Sequence, residues 1–398
     1  MSTGSKRQVP ALLLVVALLL SACGGAATAP TATPLALPTT PPESAATTVP
    51  AEPAATTEAM AGSSEKCNLR PFNVTLNATG ASFPNPVYQK WIESYKTVNP
   101  GVTINYQSTG SGQGKSDYIG GVTDFGGSDA LFSPEEKAKA PDTLFIPTVL
   151  GAVVATYNLE GVSDLRFSPE TLAGIFLGKI TTWTDPAIVA DNPGVTLPDQ
   201  PITVAHRSDG SGTTFIFTDY LSKVSKEWEQ QVGRGTAVEW PTGIGGEKND
   251  GVAAAVKQTP GAVGYVELIY ALANDLPAPA IKNAAGEYVK PSLETTTNAA
   301  AGFLKNLPAD LQFTVTNPPE GKDSYPIAGF TWLLVHPNYD DVQKAEALTD
   351  FICWALTEGD QIALSLRYAP LPTPVEKRAL ELLGTVKADG KEVFIAPQ

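Results

Sequence analysis

The segment "HRSDGSGTTF" places one arginine and one aspartate beside a run of hydroxyls and glycines. The guanidinium of Arg207 offers several N–H donors in a planar fork, and Asp209 is near enough in the chain to hold that fork in place. Ser211, Gly212 and Thr213 add hydroxyl donors and a backbone that a ligand can approach closely. These residue types predict an oxyanion site, although a polar turn with a local ion pair has the same composition.

Three further loops share this composition of glycines and hydroxyls: "TGASFPNP" (79–86), "STGSGQGKS" (108–116) and "DFGGSDA" (124–130). Each of them lies before a segment with a helical pattern. The N-terminus of a helix exposes unpaired N–H groups and carries a partial positive charge, so it favours anions. Four such loops in one chain predict a single site at which they converge.

Two other kinds of chemistry can be weighed against anion binding. The "TGSGQGKS" segment is close to a P-loop, but Thr109 stands where that motif requires glycine. Ser211 could be a nucleophile beside His206 and Asp209, yet acyl transfer needs an imidazole oriented by a third group. With His336 as the only other histidine, we expect His206 to pack against the protein or face solvent. No Cys/His cluster has the spacing of a metal site, so neither a metal nor another cofactor is expected.

The elements that must position these loops are short apolar segments alternating with helical patterns. We predict strands in the following segments: "VTINYQS" (102–108), "TLFIPTVLGAVVATYN" (143–158), "PITVAH" (201–206), "AVGYVE" (262–267) and "FTWLLVH" (330–336). This alternation predicts parallel sheets with helices on both faces, an α/β architecture. Ligands in such folds bind at the carboxyl ends of the strands.

Two of the predicted helices have particularly clear sequence signals. Ser133 and Glu136 form a capping box with proline at the first helical position. The segment "NPVYQKWIESYKTVN" has a helical repeat whose apolar positions should share one face of a helix. These positions are Val87, Trp91, Tyr95 and Val98.

The N-terminal part of the chain has the pattern of a targeting segment followed by a linker. Residues 1–22 combine a short positive region with an apolar run that is too short to span a bilayer comfortably, which predicts a signal peptide. The run ends in "LLSAC", which resembles a bacterial lipobox, so Cys23 is expected to carry a lipid; an ordinary signal peptide is the alternative. The rest of 23–66 is rich in Ala, Thr and Pro, which predicts a disordered linker.

Charge and cysteine content limit the choice of partners. The formal net charge is −14, with the acidic residues scattered along the chain. This argues against a nucleic-acid partner, because contact with a phosphate backbone requires a basic surface. If Cys23 is lipidated, Cys67 and Cys353 are the two remaining cysteines. In an oxidising compartment they could form a disulfide, and two buried free thiols are the alternative.

Several of the segments above, taken together and in order, resemble the phosphate-binding proteins of bacterial Pst-type ABC transporters. The resemblance covers nearly the whole body of the chain. It includes "TGASFPNPVYQKW", "GGVTDFGGSDA", "LAGIFLGKITTWTDPAI", "VAHRSDGSGTTFIFTDYL", "VEWPTGIGGEKNDGVAAAVKQTPGAVGYVE" and "YPIAGFTWLLV". It implies the two-lobed periplasmic-binding-protein-like fold of type II, with the ligand in the cleft between the lobes. Lobe I would comprise residues 67–150 and 326–398, and lobe II residues 151–325.

Carried over residue by residue, the resemblance implies a set of phosphate ligands. The set comprises Ser82, the backbone of Phe83, Ser111, Asp129, Arg207, Asp209, Ser211, Gly212 and Thr213. The first position commonly carries threonine in the family, and Ser82 keeps the hydroxyl. A carboxylate in such a site can accept a hydrogen bond from the proton that phosphate retains at neutral pH, whereas it repels the fully ionised sulfate.

The function implied is capture of inorganic phosphate outside the cell by a lipid-anchored, monomeric protein, with delivery to the permease of an ABC transporter. Two alternatives remain at this stage. The same fold could bind another tetrahedral oxyanion, with arsenate a closer mimic of phosphate than sulfate is. A secreted phosphatase or hydrolase is the other, although the sequence offers neither a metal cluster nor a credible base.

Overall fold

A computed structural model describes residues 66–319 and 321–397 of this chain. All of these residues belong to one compact unit. The predicted signal peptide, Cys23 and all but the last residue of the predicted linker lie outside the described residues.

An eight-stranded sheet forms the centre of the described part of the chain. Its strands are β1 (Val74–Gly80), β2 (Val102–Ser108), β3 (Phe125–Ser128), β4 (Leu144–Tyr157), β6 (Thr203–Arg207), β7 (Ile244–Gly246), β8 (Ala262–Glu267) and β11 (Ala328–Val335). Across the sheet they lie in the order β2-β1-β3-β11-β4-β8-β6-β7. The five strands predicted from the sequence are all present. The strands β1, β3 and β7 were not predicted; β3 and the end of β1 lie in segments that were interpreted as loops.

The sheet is mixed, so the prediction of parallel sheets was only partly correct. Strands β1, β2 and β3 are parallel to one another, as are β6, β7 and β8. Strand β11 is antiparallel to both β3 and β4, and β4 is antiparallel to β8. Local sequence patterns carry no information on these pairings, because the two strands of each pair are far apart in the chain.

Strand β4 joins two halves of this sheet. It pairs with β11 as far as Ala152 and with β8 from Val153 onward. We call β2, β1, β3, β11 and the part of β4 up to Ala152 the first half-sheet. The second half-sheet comprises the rest of β4 with β8, β6 and β7. The change of partner lies two residues beyond the boundary between residues 150 and 151 that the family resemblance implies for the lobes; the lobe limits themselves stay a prediction.

Helices of the described residues pack on both half-sheets. They are α1 (Asn85–Val98), α2 (Ser111–Ile119), α3 (Pro134–Lys139), α4 (Pro169–Phe176), α5 (Pro186–Asp191), α6 (Gly212–Val224), α7 (Lys226–Gln231), α8 (Lys248–Gln258), α9 (Leu268–Ala273), α10 (Leu293–Ala301), α11 (Val342–Leu356), α12 (Asp360–Ser365) and α13 (Thr373–Leu383). Helices α1, α2 and α11 contact strands of the first half-sheet. Helices α6, α8 and α9 contact strands of the second half-sheet and the shared strand β4. The capping box of Ser133 and Glu136 is present at the start of α3.

The predicted apolar stripe of α1 is buried except at its end. Val87, Trp91 and Tyr95 are almost fully enclosed, whereas Val98 is 45% exposed. The helix runs from Asn85 to Val98, so the four positions share one face as predicted, and Val98, its last residue, is the exposed member of the stripe.

Two small sheets and one disulfide complete the described structure. The first small sheet contains β5 (Arg166–Phe167), β9 (Ala280–Lys282) and β10 (Tyr288–Val289); the second contains β12 (Asn338–Tyr339), β13 (Lys387–Ala388) and β14 (Lys391–Glu392). Cys67 and Cys353 are joined in a disulfide whose Cα atoms lie 6.0 Å apart. It connects the start of the described body to α11. Among the described helices, none is both long enough and apolar enough to cross a membrane.

Candidate functional site

The candidate residues lie where strands end and helices begin. Ser82 follows β1 and precedes α1, Ser111 is the first residue of α2, and Asp129 directly follows β3. Arg207 ends β6, and Ser211 is the N-cap of α6. The predicted position at the carboxyl ends of strands is therefore observed. The loop of Asp129 differs from the others, because its helix α3 begins only at Pro134, five residues after Asp129.

Arg207 and Asp209 form a bidentate ion pair. Arg207 Nε donates to Asp209 Oδ1 over 2.7 Å, and Nη2 donates to Oδ2 over 2.5 Å. Oδ1 also accepts from the backbone N–H of Lys248, at 3.0 Å. Arg207 Nη1 donates to the hydroxyl of Thr213, at 3.4 Å. Asp209 thus fixes the plane of the guanidinium. Two of the five guanidinium N–H groups of Arg207 remain for another acceptor.

Asp129 has one oxygen that is engaged and one that is not. Its Oδ2 accepts from the hydroxyl of Ser111 at 3.3 Å, and its backbone N–H donates to that same hydroxyl oxygen at 3.1 Å. Its Oδ1 is fully buried and makes no hydrogen bond within 3.5 Å to the described residues; the Thr331 hydroxyl, which also lacks a partner at that distance, is its polar neighbour. A buried carboxylate oxygen without a donor is costly, so Asp129 Oδ1 is an acceptor available to a ligand.

The N-terminus of α6 contributes donors to the same region. The Ser211 hydroxyl accepts from the N–H of Thr214 at 3.1 Å, which leaves its proton free to donate elsewhere. Gly212 and Thr213 are the first two residues of the helix, so their N–H groups have no partner within it. A Cβ on Gly212 would overlap both Asp129 and Ser111. Glycine at this position is therefore what allows α6 to approach the loops of the first half-sheet.

The two half-sheets meet directly beside this cluster. The backbone N–H of Gly112 donates to the carbonyl of Gly210 over 2.8 Å. A Cβ on Gly112 would lie only 2.9 Å from the Cα of Gly210. Gly110 has a φ of +89°, and a Cβ there would lie 2.5 Å from Asp209 Oδ2. These glycines permit a main-chain contact between loops that follow strands of opposite halves.

Comparison with known proteins identifies the family. A family model described as the PBP superfamily domain matches residues 39–358. The phosphate-binding protein PstS of Xylella fastidiosa (strain Temecula1) is 42% identical over 308 residues, which are 77% of this chain and 84% of that protein. PstS of Methanocaldococcus jannaschii is 41% identical over 345 residues, 80% of this chain and 88% of its own. The chain belongs to the PstS family. This family of solute-binding proteins lies within the PBP superfamily.

Solved structures with lower sequence identity share the fold. The phosphate-binding protein of Stenotrophomonas maltophilia superposes with a TM-score of 0.59 at 22% identity, covering 77% of this chain and 93% of that one. A periplasmic phosphate-binding protein solved with bound phosphate gives a TM-score of 0.59 at 23% identity, with 76% and 92% covered. The predicted α/β, two-lobed architecture of this PstS-family chain is confirmed.

The two carboxyl groups of the cluster differ in their acid strength. Burial raises the pKa of Asp129 to about 7, and the neighbouring Thr331, Arg207 and Ser111 oppose this rise only in part. Burial also acts to raise the pKa of Asp209. Arg207, through its hydrogen bonds and its charge, and the N–H of Lys248 outweigh this effect of burial. The pKa of Asp209 is therefore lowered overall. Near neutral pH, Asp209 is therefore ionised, whereas Asp129 can hold or release a proton.

Four polar residues of the cluster were missed by reasoning from the sequence. The hydroxyl of Tyr270 donates to the carbonyl of Ser82 at 2.6 Å, and Asn249 Nδ2 donates to the Ser82 hydroxyl at 3.0 Å. Tyr368 donates to the carbonyl of Phe83 at 2.7 Å and lies 3.2 Å from a carboxylate oxygen of Glu267. Asn249 and Glu267 fall in segments quoted for the family resemblance, but no local pattern distinguishes them as polar groups of a site.

His206 does not join the cluster as a base. Its ring stacks on Trp240 with centroids 4.9 Å apart, and its Nδ1 lies 3.0 Å from the carbonyl of Arg207. This is the packing role that the sequence predicted. Within residues 66–319 and 321–397, no group of His, Cys, Asp and Glu side chains is arranged to hold a metal ion.

Proposed function

We propose that this protein binds inorganic phosphate between its two half-sheets and delivers it to the permease of an ABC transporter. The observation that carries the proposal is a network of contacts that links the candidate residues: Thr213 accepts from Arg207, Asn249 joins Thr213 to Ser82, and Gly212 packs against the bonded pair of Ser111 and Asp129. The candidate residues are Ser82, Phe83, Ser111, Asp129, Arg207, Asp209, Ser211, Gly212 and Thr213. The relatives named PstS support the ligand. The role proposed is that of a binding protein rather than an enzyme.

Each group of the site has a distinct role in this proposal. The remaining N–H groups of Arg207, the hydroxyls and the N-terminus of α6 donate to the oxygens of phosphate. Asp129 Oδ1 accepts the hydrogen bond from the proton that phosphate retains. Asp209 keeps the guanidinium in position, since both of its oxygens are already engaged. Binding therefore satisfies a buried acceptor that otherwise has no partner.

Isothermal titration calorimetry with phosphate, sulfate and arsenate tests the proposal. We expect phosphate to bind tightly and sulfate weakly at pH 9, where Asp129 is ionised; arsenate separates a phosphate site from a general tetrahedral-oxyanion site. Arg207→Ala should weaken phosphate binding by about 2–5 kcal/mol, the range for removing one partner of a buried charge pair. Absence of phosphate binding to the folded wild-type protein would contradict the proposal.

The remaining features predicted for the protein belong to the same proposal. Residues 67–150 and 326–398 would form lobe I, residues 151–325 would form lobe II, and hinge closure would bury the ligand. The protein would act as a monomer outside the cytoplasm, held at the membrane by a lipid on Cys23. Labelling with a radioactive fatty acid tests the anchor, because Cys23→Ser should abolish incorporation of the label.

A further inference from the structure

Asn249 is a fully buried amide at the second position of α8. Its Oδ1 accepts from the backbone N–H of Glu267 at 2.9 Å. A backbone N–H can only donate, so the atom facing it must be the amide oxygen. The opposite atom is therefore the NH₂ group, and the orientation of the side chain is fixed by the main chain of β8.

This NH₂ group contacts two of the candidate phosphate ligands. Nδ2 donates to the hydroxyl oxygen of Ser82 at 3.0 Å and to that of Thr213 at 3.2 Å. Ser82 follows β1 of the first half-sheet, while Thr213 lies in α6 beside the second. One amide therefore links hydroxyls that the chain places in opposite halves of the site.

Accepting a hydrogen bond limits what each hydroxyl can do. A hydroxyl has one proton and two lone pairs. The oxygen of Thr213 accepts from both Asn249 Nδ2 and Arg207 Nη1, so both of its lone pairs are used and only its proton remains. The oxygen of Ser82 has one lone pair used by Asn249, and its proton cannot be donated to an NH₂ group. Both protons are thus directed away from the amide.

We propose that Asn249 is a positioning residue that commits the hydroxyls of Ser82 and Thr213 to act as donors toward the bound anion. This inference rests on the proposed function, because it assigns the two hydroxyls to phosphate. Because the amide is neutral, it sets the direction of two donors without adding charge to the site. The amide reaches both hydroxyls only while the loop of Ser82 lies against the N-terminus of α6, so the two donors are aligned together only when the proposed cleft is closed.

A double-mutant cycle distinguishes this role from simple packing. Phosphate affinity is measured by calorimetry for Asn249→Ala, Thr213→Val and the double variant, with urea unfolding as the measure of folding. We expect each single substitution to weaken phosphate binding about tenfold or more, and the double variant to bind at least about fivefold more tightly than independent effects predict. Ser211 is the matched control, because its hydroxyl oxygen accepts from Thr214 instead. The fold-losses of phosphate affinity caused by Asn249→Ala and by Ser211→Ala should multiply when the two substitutions are combined.

Asn249→Asp guards against loss of folding. It keeps an oxygen facing the N–H of Glu267 but replaces the NH₂ group with a carboxyl oxygen, which accepts from the hydroxyls when ionised and can donate to only one of them when protonated. We expect a folded protein whose phosphate affinity is reduced about a hundredfold or more. Affinity within about threefold of wild type in this variant, or independent effects of Asn249→Ala and Thr213→Val, would overturn the role of Asn249 alone. Wild-type protein that binds no phosphate would instead overturn the proposed function, and this inference with it.

Discussion

The pH dependence of sulfate binding is a direct consequence of the position of Asp129. Its pKa is raised from 3.8 to about 7, so about half of the unliganded molecules carry a proton on this group at pH 7. A protonated carboxyl can donate a hydrogen bond to sulfate, whereas an ionised one repels it. If sulfate binds only to the protonated form, its affinity should fall tenfold per pH unit above 7 and level off below.

The magnitude follows from that titration. Between pH 7 and pH 9 the protonated fraction of Asp129 falls about fiftyfold, and wild-type affinity for sulfate should fall by the same factor. The amide introduced by Asp129→Asn cannot ionise and always offers an N–H, so this variant should bind sulfate with little dependence on pH. At pH 9 the variant should exceed the wild type about a hundredfold in sulfate affinity, equivalent to roughly 2.7 kcal/mol. Wild-type phosphate affinity should change only modestly from pH 7 to pH 9, because the proton of the hydrogen bond between phosphate and Asp129 can come from the ligand when the carboxyl is ionised.

Calorimetry with both anions at pH 6, 7, 8 and 9, at fixed ionic strength, measures these affinities. Asp142→Asn is the matched control, since it removes the same charge from an exposed position. A wild-type sulfate affinity that is flat across this range would refute the reasoning. So would a collapse of phosphate binding in Asp129→Asn with sulfate still undetectable, because the carboxyl would then have a role other than accepting a proton.

Three further predictions concern closure, stability and the disulfide. Gly112→Ala should weaken phosphate binding about tenfold or more without unfolding the protein, because its Cβ would press against the backbone of Gly210. Calorimetry measures the affinity, and Gly302→Ala is the control because it adds a methyl group in open space. Burial raises the pKa of Asp360 to about 8, so the folded protein retains a proton that the unfolded chain releases near pH 4. Wild-type stability should therefore fall as the pH rises toward 8, and the advantage of Asp360→Asn in urea unfolding should grow by about 1–3 kcal/mol between pH 5 and pH 8. Alkylation should modify Cys67 and Cys353 only after reduction, as detected by intact-mass measurement; modification without reductant would contradict the disulfide. Cys353→Ser should lower the free energy of unfolding by about 2–5 kcal/mol.

Much of the fold was predictable from the sequence because the signals are local. An apolar segment such as 262–267 predicts a strand, and a capping box such as that of Ser133 predicts the start of a helix, whatever the rest of the chain does. The pairing of Arg207 with Asp209 is also local, since two residues of one loop provide the whole ion pair. Arg207, Asp209, Ser211, Gly212 and Thr213 were accordingly predictable from one short segment. The other four candidates, Ser82, Phe83, Ser111 and Asp129, were implied by the family resemblance, and contact of all nine with phosphate stays a prediction.

Strand β3 shows where local reasoning fails. Its sequence "FGGS" has the composition of a turn, yet all four residues are buried in the sheet. A Cβ on Gly127 would collide with the ring and hydroxyl of Tyr106, and a Cβ on Gly80 would collide with the backbone of Gly127. The glycines are needed because neighbouring parts of the chain come so close, and that distance is a property of the packed molecule.

The sequence by itself determined that the loop of Arg207 could bind an anion, because hydroxyls, glycines and an arginine in one loop have the same chemistry in any fold. Only the tertiary structure decided which contacts each candidate residue makes. It pairs Asp209 with Arg207 and leaves Asp129 Oδ1 without a hydrogen bond to the described residues. It also placed Asn249 against Ser82 across 167 positions of sequence. Hydrogen-bond partners depend on distances of about 3 Å, and for residues so far apart in the chain those distances are set by the packing of whole strands and helices.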